Sequence, residues 1–325
     1  MASGETHDRL SRRHRNRRTS TGKRIAPTER DLLWFQKIHE HGPLSSTYLH
    51  AFTKHAWRSD KRARDRLTDL FNETDTRHGG AYLDRPWQQF RTFDSRYNDL
   101  VYSLTDASRA ALKGHDLWHD RAERPASPWT HAYMVACITA SIELAALADP
   151  VLTYIPQHAI LERAGADLRS PVAIENPRSG KIEERDLIPD ALFGLEYQQG
   201  GERRFRFFLV EADRATEPSR TQVFNRKSHL RTFLQYREYV GRQLYKQHLN
   251  LSAALLVLNV TTSPRAEENM LRLVGELSPT GNSYLLFRTA EQFGRYFKPP
   301  SIMDELATGP WRRAGWDGLR IDQPA

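Results

Sequence analysis

The sequence predicts an α+β / α/β protein in which a small helical domain with a hairpin precedes a mixed sheet flanked by helices. Two observations carry this prediction. Apolar residues recur at helical spacing through the first third of the chain, and from about residue 156 the pattern turns to alternating strands and helices. The order there is helix, three strands, helix, strand, helix, strand. The opening three strands suit a meander, and the later strand–helix–strand suits a parallel crossover covered by helices. The 325 residues suffice for two or three domains. With 39% hydrophobic and 27% charged residues, the chain fits a globular rather than a disordered class. Its longest apolar stretch, Ala132 to Leu147, contains Ser, Thr and Glu143, which reads as too short and too polar to span a bilayer. No signal-peptide pattern opens the chain. Cys137 is the only cysteine, so there is no internal disulfide and no cysteine-built zinc site. The expected setting is a reducing cytoplasm, with no membrane partner.

The first helix begins at Thr28, a good N-cap, with Leu32, Leu33, Phe35 and Ile38 on one face, and ends at Gly42-Pro43. A second helix covers Ser45 to Phe52 and a third about Ser59 to Phe71. Gly79-Gly80 signals a turn before Tyr82 and Leu83. Leu100 to Leu104 reads as a strand, and Thr105 caps a further helix. Three helices followed by a hairpin is the order of a winged helix-turn-helix. Its third helix carries Lys61, Arg62, Arg64 and Arg66 where a recognition helix would meet the major groove. A helical bundle with a solvated basic face is the competing reading. The formal net charge is +8, and residues 1–30 supply +6 of it, nine Lys or Arg against Glu5, Asp8 and Glu29. Such an arm would bind phosphate backbones without reading sequence, or would simply be a solvated tail.

The expected organisation is a disordered basic arm over 1–25, a winged-helix DNA-binding domain over 26–122, a linker and connecting helix over 123–150, the mixed-sheet domain over 151–300 and a tail over 301–325. His131, near the start of the connecting helix, reads as a capping or packing residue. A short helix spans about Gln157 to Ala164. Strands are expected near Val172–Ile174, Leu187–Leu195 and Phe205–Ala212, then a long helix from about Ser219 to Leu244. A strand over Ala253 to Val260, a helix over Pro264 to Leu277 and a strand over Tyr284 to Phe287 complete the order.

Three carboxylates stand out in this half. Asp190 follows Ile188-Pro189, and Glu211 and Asp213 close the next apolar strand, Phe207 to Asp213. Residues two apart on a strand share a face, so Glu211 and Asp213 project together. A hairpin around Gln199-Gly200-Gly201 would bring Asp190 beside them. Carboxylates at the ends of apolar strands are costly to bury unless a cation neutralises them, and an all-oxygen set favours Mg²⁺ or Mn²⁺. Such an ion activates water and stabilises charge on a phosphodiester. The alternative is a set of structural carboxylates paired with Arg204, Arg206 or Arg214.

Pro189-Asp190 followed after about twenty residues by Glu211-Ala212-Asp213 resembles the PD-(D/E)XK nuclease signature. Together with the winged helix ahead of it, the chain is similar to the replication-relaxation family of plasmid and integrative-element proteins, related to plasmid mobilisation relaxases. The resemblance covers roughly residues 28 to 290. It implies a restriction-endonuclease-like sheet and a metal-dependent DNA nickase, with Asp190, Glu211, Asp213 and Lys227 as catalytic residues and the three carboxylates as metal ligands. It also implies double-stranded DNA as partner, a plasmid or transfer origin, with conjugation or replication proteins beside it. One departure is plain: the signature ends in lysine, and here that position is Asp213. Lys227, expected beside Val223, Leu230 and Leu234 on the following helix, would supply the missing ammonium or else snorkel from the helix edge. Arg214 and Arg231 are weaker candidates for that role. Tyr236 is a candidate nucleophile or a packing residue, and Glu162 a candidate extra ligand. The competing functions are a winged-helix regulator of replication or transcription with an inactive nuclease-like core, and a restriction or junction-resolving endonuclease.

Overall fold

Helix α1 (Glu29–His41) starts at Thr28, whose hydroxyl accepts from the Asp31 N–H while the Asp31 carboxylate accepts from the Thr28 N–H. The computed structural model describes residues 14–75, 77, 79–91, 97–221, 224, 226–293 and 297–324. The chain divides into two units, Met1–Trp118 with Tyr296–Ile302 and His119–Arg295 with Met303–Ala325.

In the first unit β1 (Leu44–Ser45), α2 (Ser46–Thr53) and α3 (Asp60–Asn72) follow α1, and Ser59 caps α3 by accepting from the Arg62 N–H. Strands β2 (Leu83–Asp84) and β3 (Val101–Leu104) complete an antiparallel sheet of order β1-β3-β2, before α4 (Asp106–Gly114). This is a winged helix-turn-helix, closed over Trp34, Phe35, Leu49, Leu67 and Leu70, all fully buried. Two expectations change. Gly79 and Gly80, both at positive φ, lead into β2, and the β2–β3 connection runs over residues 85–100 instead. Residues 14–25, expected to be disordered, are tied to the unit, while 1–13 lie outside the described residues. Arg18 donates to the Leu83 carbonyl and to Asp84, Lys23 pairs with Asp69 at 2.6 Å, and Glu73 accepts from Ser20, from Thr21 and from the Lys23 N–H. Two of the nine basic charges, Arg18 and Lys23, are therefore already matched within the unit.

The second unit is a restriction-endonuclease-like mixed sheet flanked by helices. After α5 (Trp129–Ala148) come β4 (Leu152–Ile155), α6 (Gln157–Ala164), β5 (Ser170–Glu175), β6 (Ile182–Leu187), β7 (Ala191–Gln199) and β8 (Glu202–Asp213). Then follow α7 (His229–Tyr236), α8 (Leu244–His248), β9 (Ala254–Thr261), α9 (Pro264–Leu277), β10 (Leu285–Thr289), α10 (Glu305–Thr308), β11 (Trp311–Arg313) and β12 (Trp316–Leu319). The seven-stranded sheet has the order β12-β11-β10-β9-β8-β7-β4. Strands β8, β9 and β10 run parallel, and their neighbours on either side are antiparallel. The expected hairpin forms: Gln199 faces Glu202 across Gly200 and Gly201, both at positive φ, as a two-residue turn requires.

The meander is β4-β7-β8, so its first strand is Leu152–Ile155 and not the Val172–Ile174 segment. That segment pairs with β6 in a separate two-stranded sheet, and the expected strand Leu187–Leu195 is split at Ile188-Pro189. Proline has no N–H for the ladder, which explains the break. Residues 301–325 contribute α10 and two strands of the large sheet, with Met303, Trp311 and Ile321 fully buried. Helix α5 has the length and composition of a membrane-crossing helix, with mean hydropathy 1.5, more than the sequence reading allowed it. Two thirds of it is buried, and it packs on β4, β7, β8 and α10, as a core helix does.

The expected helix from Ser219 to Leu244 starts only at His229. Ser228 caps it, a π-helical turn over Arg237–Gly241 follows α7, and Gln243 at φ 59° breaks the chain before α8. Lys227 therefore precedes the helix, and Val223 lies outside the described residues.

Candidate active site

Strand β7 begins at Ala191, which pairs with Val210. Two residues earlier Pro189 ends the ladder, and the side chain of Asp190, between them, takes over the next donor of β8. Its N–H donates to the Val210 carbonyl at 3.0 Å, and its Oδ2 accepts the Ala212 N–H at 2.8 Å. Asp190 Oδ1 lies 2.9 Å from His131 Nε2 on α5. The carboxylate is thus held on the end of β8, beside Glu211.

Glu211 and Asp213 point to the same face of β8 and line one small cleft of about 20 Å³ with Glu217, Lys227, His229 and Asn259. That volume admits about one water or an ion of similar size. Burial, and then the charge of Asp190, push the Glu211 carboxyl up to about 8. The Tyr236 hydroxyl donates to Glu211 Oε1, and Lys227 Nζ stands 3.9 Å from Oε2. Lys227 Nζ also pairs with Glu217 at 2.7 Å. Burial works against its charge, but Glu211 and Glu217 hold the ammonium above the usual lysine range, so it stays charged. The carboxylate partner that a half-buried lysine needs is present, supplied from the strand end and the following turn.

Asp213 has a different environment. His229 Nε2 lies 3.2 Å from its Oδ2, and the Thr216 and Glu217 N–H groups donate to Oδ1 across a turn with Ala215 at φ 57°. Burial tends to raise its carboxyl, yet the His229 hydrogen bond and charge and the two N–H donors hold it below the usual carboxylate range. The position that the signature gives to lysine here carries an acid with a histidine against it.

Several sequence candidates go elsewhere. Tyr236 is fully buried, and burial together with Glu211 raises its hydroxyl well above the ordinary range, which makes it a proton-bearing donor rather than a nucleophile. Glu162 pairs with His119 at 3.1 Å. Arg214 donates to Thr130. In the first unit, Arg66 turns inward and binds Asp31 at 2.6 Å and the Ala26 carbonyl at 2.8 Å, so it leaves the exposed basic set. Lys61, Arg62 and Arg64 remain exposed on α3; Lys61 pairs with Asp65 at 3.0 Å and Arg64 with Asp60, both on the same helix.

The partners that sequence reasoning did not connect to the site are His131, His229 and Glu217. His131 lies 59 residues from Asp190, and His229 lies 16 from Asp213, so no local spacing marks either pair. Trp87, 60% exposed with the Arg91 guanidinium 4.0 Å above its ring, was also passed over in the β2–β3 connection.

A comparison with curated proteins finds no match, and neither does one with solved structures. Residues 35–255, about two thirds of the chain, match the family model described as replication-relaxation. That span takes in the second half of α1, the rest of the winged helix with its sheet, and Asp190 and β8 with the three carboxylates. The chain therefore belongs to the replication-relaxation family, which points to replication-related processing of DNA.

Proposed function

We propose that the protein is a divalent-metal-dependent DNA nickase, with the winged helix holding duplex DNA and the sheet unit carrying the chemistry. The observation that carries this reading is Glu211. A carboxyl pushed up to about 8 by burial and by Asp190 sits in a pocket short of positive charge, the condition that a bound cation relieves. Asp190, Glu211 and Asp213 offer only oxygen donors, the type Mg²⁺ or Mn²⁺ takes, though their ligand atoms are not all within 4.8 Å of one another, so an ion would have to draw them together. An ion held there would activate water and stabilise charge at the scissile phosphate.

The remaining roles belong to the chain's own groups. His131 and the Ala212 N–H fix the Asp190 carboxylate. Tyr236 keeps its proton and orients Glu211. Lys227 is the positioned ammonium, supplied from the turn before α7 and tethered by Glu217. Exposed Lys61, Arg62 and Arg64 on α3 would face phosphates or guanine edges of the duplex, a plasmid or transfer origin in this reading. A second reading, a DNA-binding regulator with a silent core, is favoured by Asp213 standing where the signature has lysine.

The test is nicking of supercoiled plasmid carrying the element's own origin, with Mn²⁺ and with EDTA. Asp190→Asn and Glu211→Gln should each lower the Mn²⁺-dependent rate by about 100-fold or more, and Lys227→Met should do the same while DNA binding holds. In EDTA the melting temperature of the two carboxylate variants should hold or rise, because repulsion between Asp190 and Glu211 is eased. No Mn²⁺-dependent nicking by the parent chain would leave the regulator reading.

A further inference from the structure

A second cleft, of about 220 Å³, opens next to the carboxylates, lined by Ala215, Glu217, Ser219, His229, Ser263 and Arg265 with the start of α9. We infer that it is a phosphodiester-binding subsite, in which the N-terminus of α9, the Arg265 guanidinium and His229 hold a DNA backbone phosphate beside the carboxylate cluster. The inference rests on the nickase reading for its ligand, DNA, but not for its binding groups.

Helix α9 is fourteen residues long, with Pro264 at its first position, and its N-cap Ser263 makes no side-chain cap bond. The N–H groups of Arg265 and Ala266 have no acceptor within the helix and point, with the positive end of the helix dipole, out of its first turn. Arg265 is exposed and carries no ion pair among the described residues. The acids of the first turns of α9 are already matched, Glu267 and Glu268 by Arg312 at 3.1 Å each, and Glu217, on the segment after β8, by Lys227. The first turn of α9 therefore presents cationic groups with no anion assigned to them.

The independent sign of a ligand is His229. It is 7% exposed and lines the cleft, and its Nδ1 is a buried polar atom with no hydrogen-bond partner. Such atoms are rare in folded proteins because leaving them unmet is costly. Its Nε2 already lies 3.2 Å from Asp213 Oδ2, so Nδ1 is the ring atom left to an occupant of the cleft or to a water bridging to a phosphate oxygen. At the end of β9, opposite Asp213 in the ladder, the fully buried Thr261 hydroxyl likewise has no partner. Positive first-turn groups, a neutralised wall and unmet polar atoms together suit an anion with several oxygens and a hydration shell, as a backbone phosphate has.

The test uses the full chain in EDTA, binding a duplex oligonucleotide of arbitrary sequence, on an Arg62→Ala/Arg64→Ala background that lowers the winged-helix contribution. Ala266→Asp places a carboxylate in the first turn of α9, where the helix itself tolerates it, so folding should hold while a phosphate is repelled. It should weaken binding by about fivefold or more, and Arg265→Ala should reduce the salt dependence by about one unit. Arg265→Lys should retain most of the binding. If Ala266→Asp and Arg265→Ala both bind with parental affinity and salt slope, the subsite is overturned, whatever the nicking assay gives. If both lose binding and the parent shows no Mn²⁺-dependent nicking, the subsite stands and the nickase reading fails.

Discussion

Both units bury acids, and those at the strand ends of the sheet unit are treated differently from the acids of the winged helix and from Glu196 and Glu267, which are paired with Arg203 and Arg312. In the winged helix Asp31 is fully buried and receives a two-pronged Arg66 guanidinium together with the N–H and hydroxyl of Thr28. Glu73, 2% exposed, accepts from two hydroxyls and two backbone N–H groups of the 14–25 segment. In the sheet unit the acids at the strand ends meet His131, Tyr236 and His229, two imidazoles and a phenol in place of a guanidinium. The one fixed cation, Lys227, stands 3.9 Å from Glu211 and closer to Glu217. A buried acid that serves the fold has its charge completed by the fold. Against burial, the four donors on Glu73 hold it below the usual carboxylate range, whereas burial and Asp190 raise Glu211, the condition that a cation from outside would relieve.

The comparison breaks first at Arg66. Arg66→Met should destabilise the chain by about 3 to 5 kcal/mol in urea unfolding, since it strands the Asp31 charge in the core. Pairing it with Asp31→Leu should recover much of the loss. A single variant within about 0.5 kcal/mol of the parent would mean that Asp31 does not depend on its cation, and the contrast with the strand-end acids would go with it.

A smaller effect should appear in the pH dependence of stability without metal. The Glu211 carboxyl is raised in the folded state to about 8, above its unfolded value, so the folded chain holds this proton more tightly. The stability it contributes is fully present below the unfolded value and is lost as pH rises through about 8. In EDTA the parent should therefore melt at a lower temperature at about pH 9 than at about pH 6. Glu211→Gln, neutral throughout, should flatten that part of the profile. Equal slopes for parent and variant would show Glu211 ionised without its cation and remove the observation on which the metal reading stands.

Much of this arrangement was legible in the residues. The cap Thr28, the start of α3 near Ser59 and the Gly200-Gly201 hairpin are local signals, and each forms where its residues predict. The strand spacing that puts Glu211 and Asp213 on one face is local as well. What could not be read depends on partners far along the chain. Strand β4 is four residues long and becomes a strand only by pairing with β7, and β11 and β12 exist only as additions beside β10. The stretch before His229 has helical spacing but Ser228 caps the helix late, which carried Lys227 off the helix without taking it from Glu211. Arg66 shows the limit from the other side. Four basic residues on one helix look alike in sequence, and only the fold reveals that one of them belongs to Asp31.

The smallest expected effect separates those four. Lys61 and Arg64 are exposed but each shares an acid one turn away on α3, Asp65 and Asp60, whereas Arg62 has no ion pair among the described residues. Exposed pairs of this kind are worth little, about 0.3 to 0.5 kcal/mol, so a phosphate can displace the acid at small cost. Arg62→Ala should therefore lower the slope of log affinity against log salt by about one unit, and adding Arg64→Ala should bring the loss to about two. Asp60→Asn, which frees Arg64 from its partner, should strengthen binding to duplexes of any sequence. Arg66 is different in kind: Arg66→Lys keeps the charge on Asp31, and the salt slope should stay at the parental value. A titration in which Arg62→Ala leaves the slope unchanged while Arg66→Lys reduces it would turn the assignment around, with the inward arginine the one that meets DNA and α3 docked by its other face.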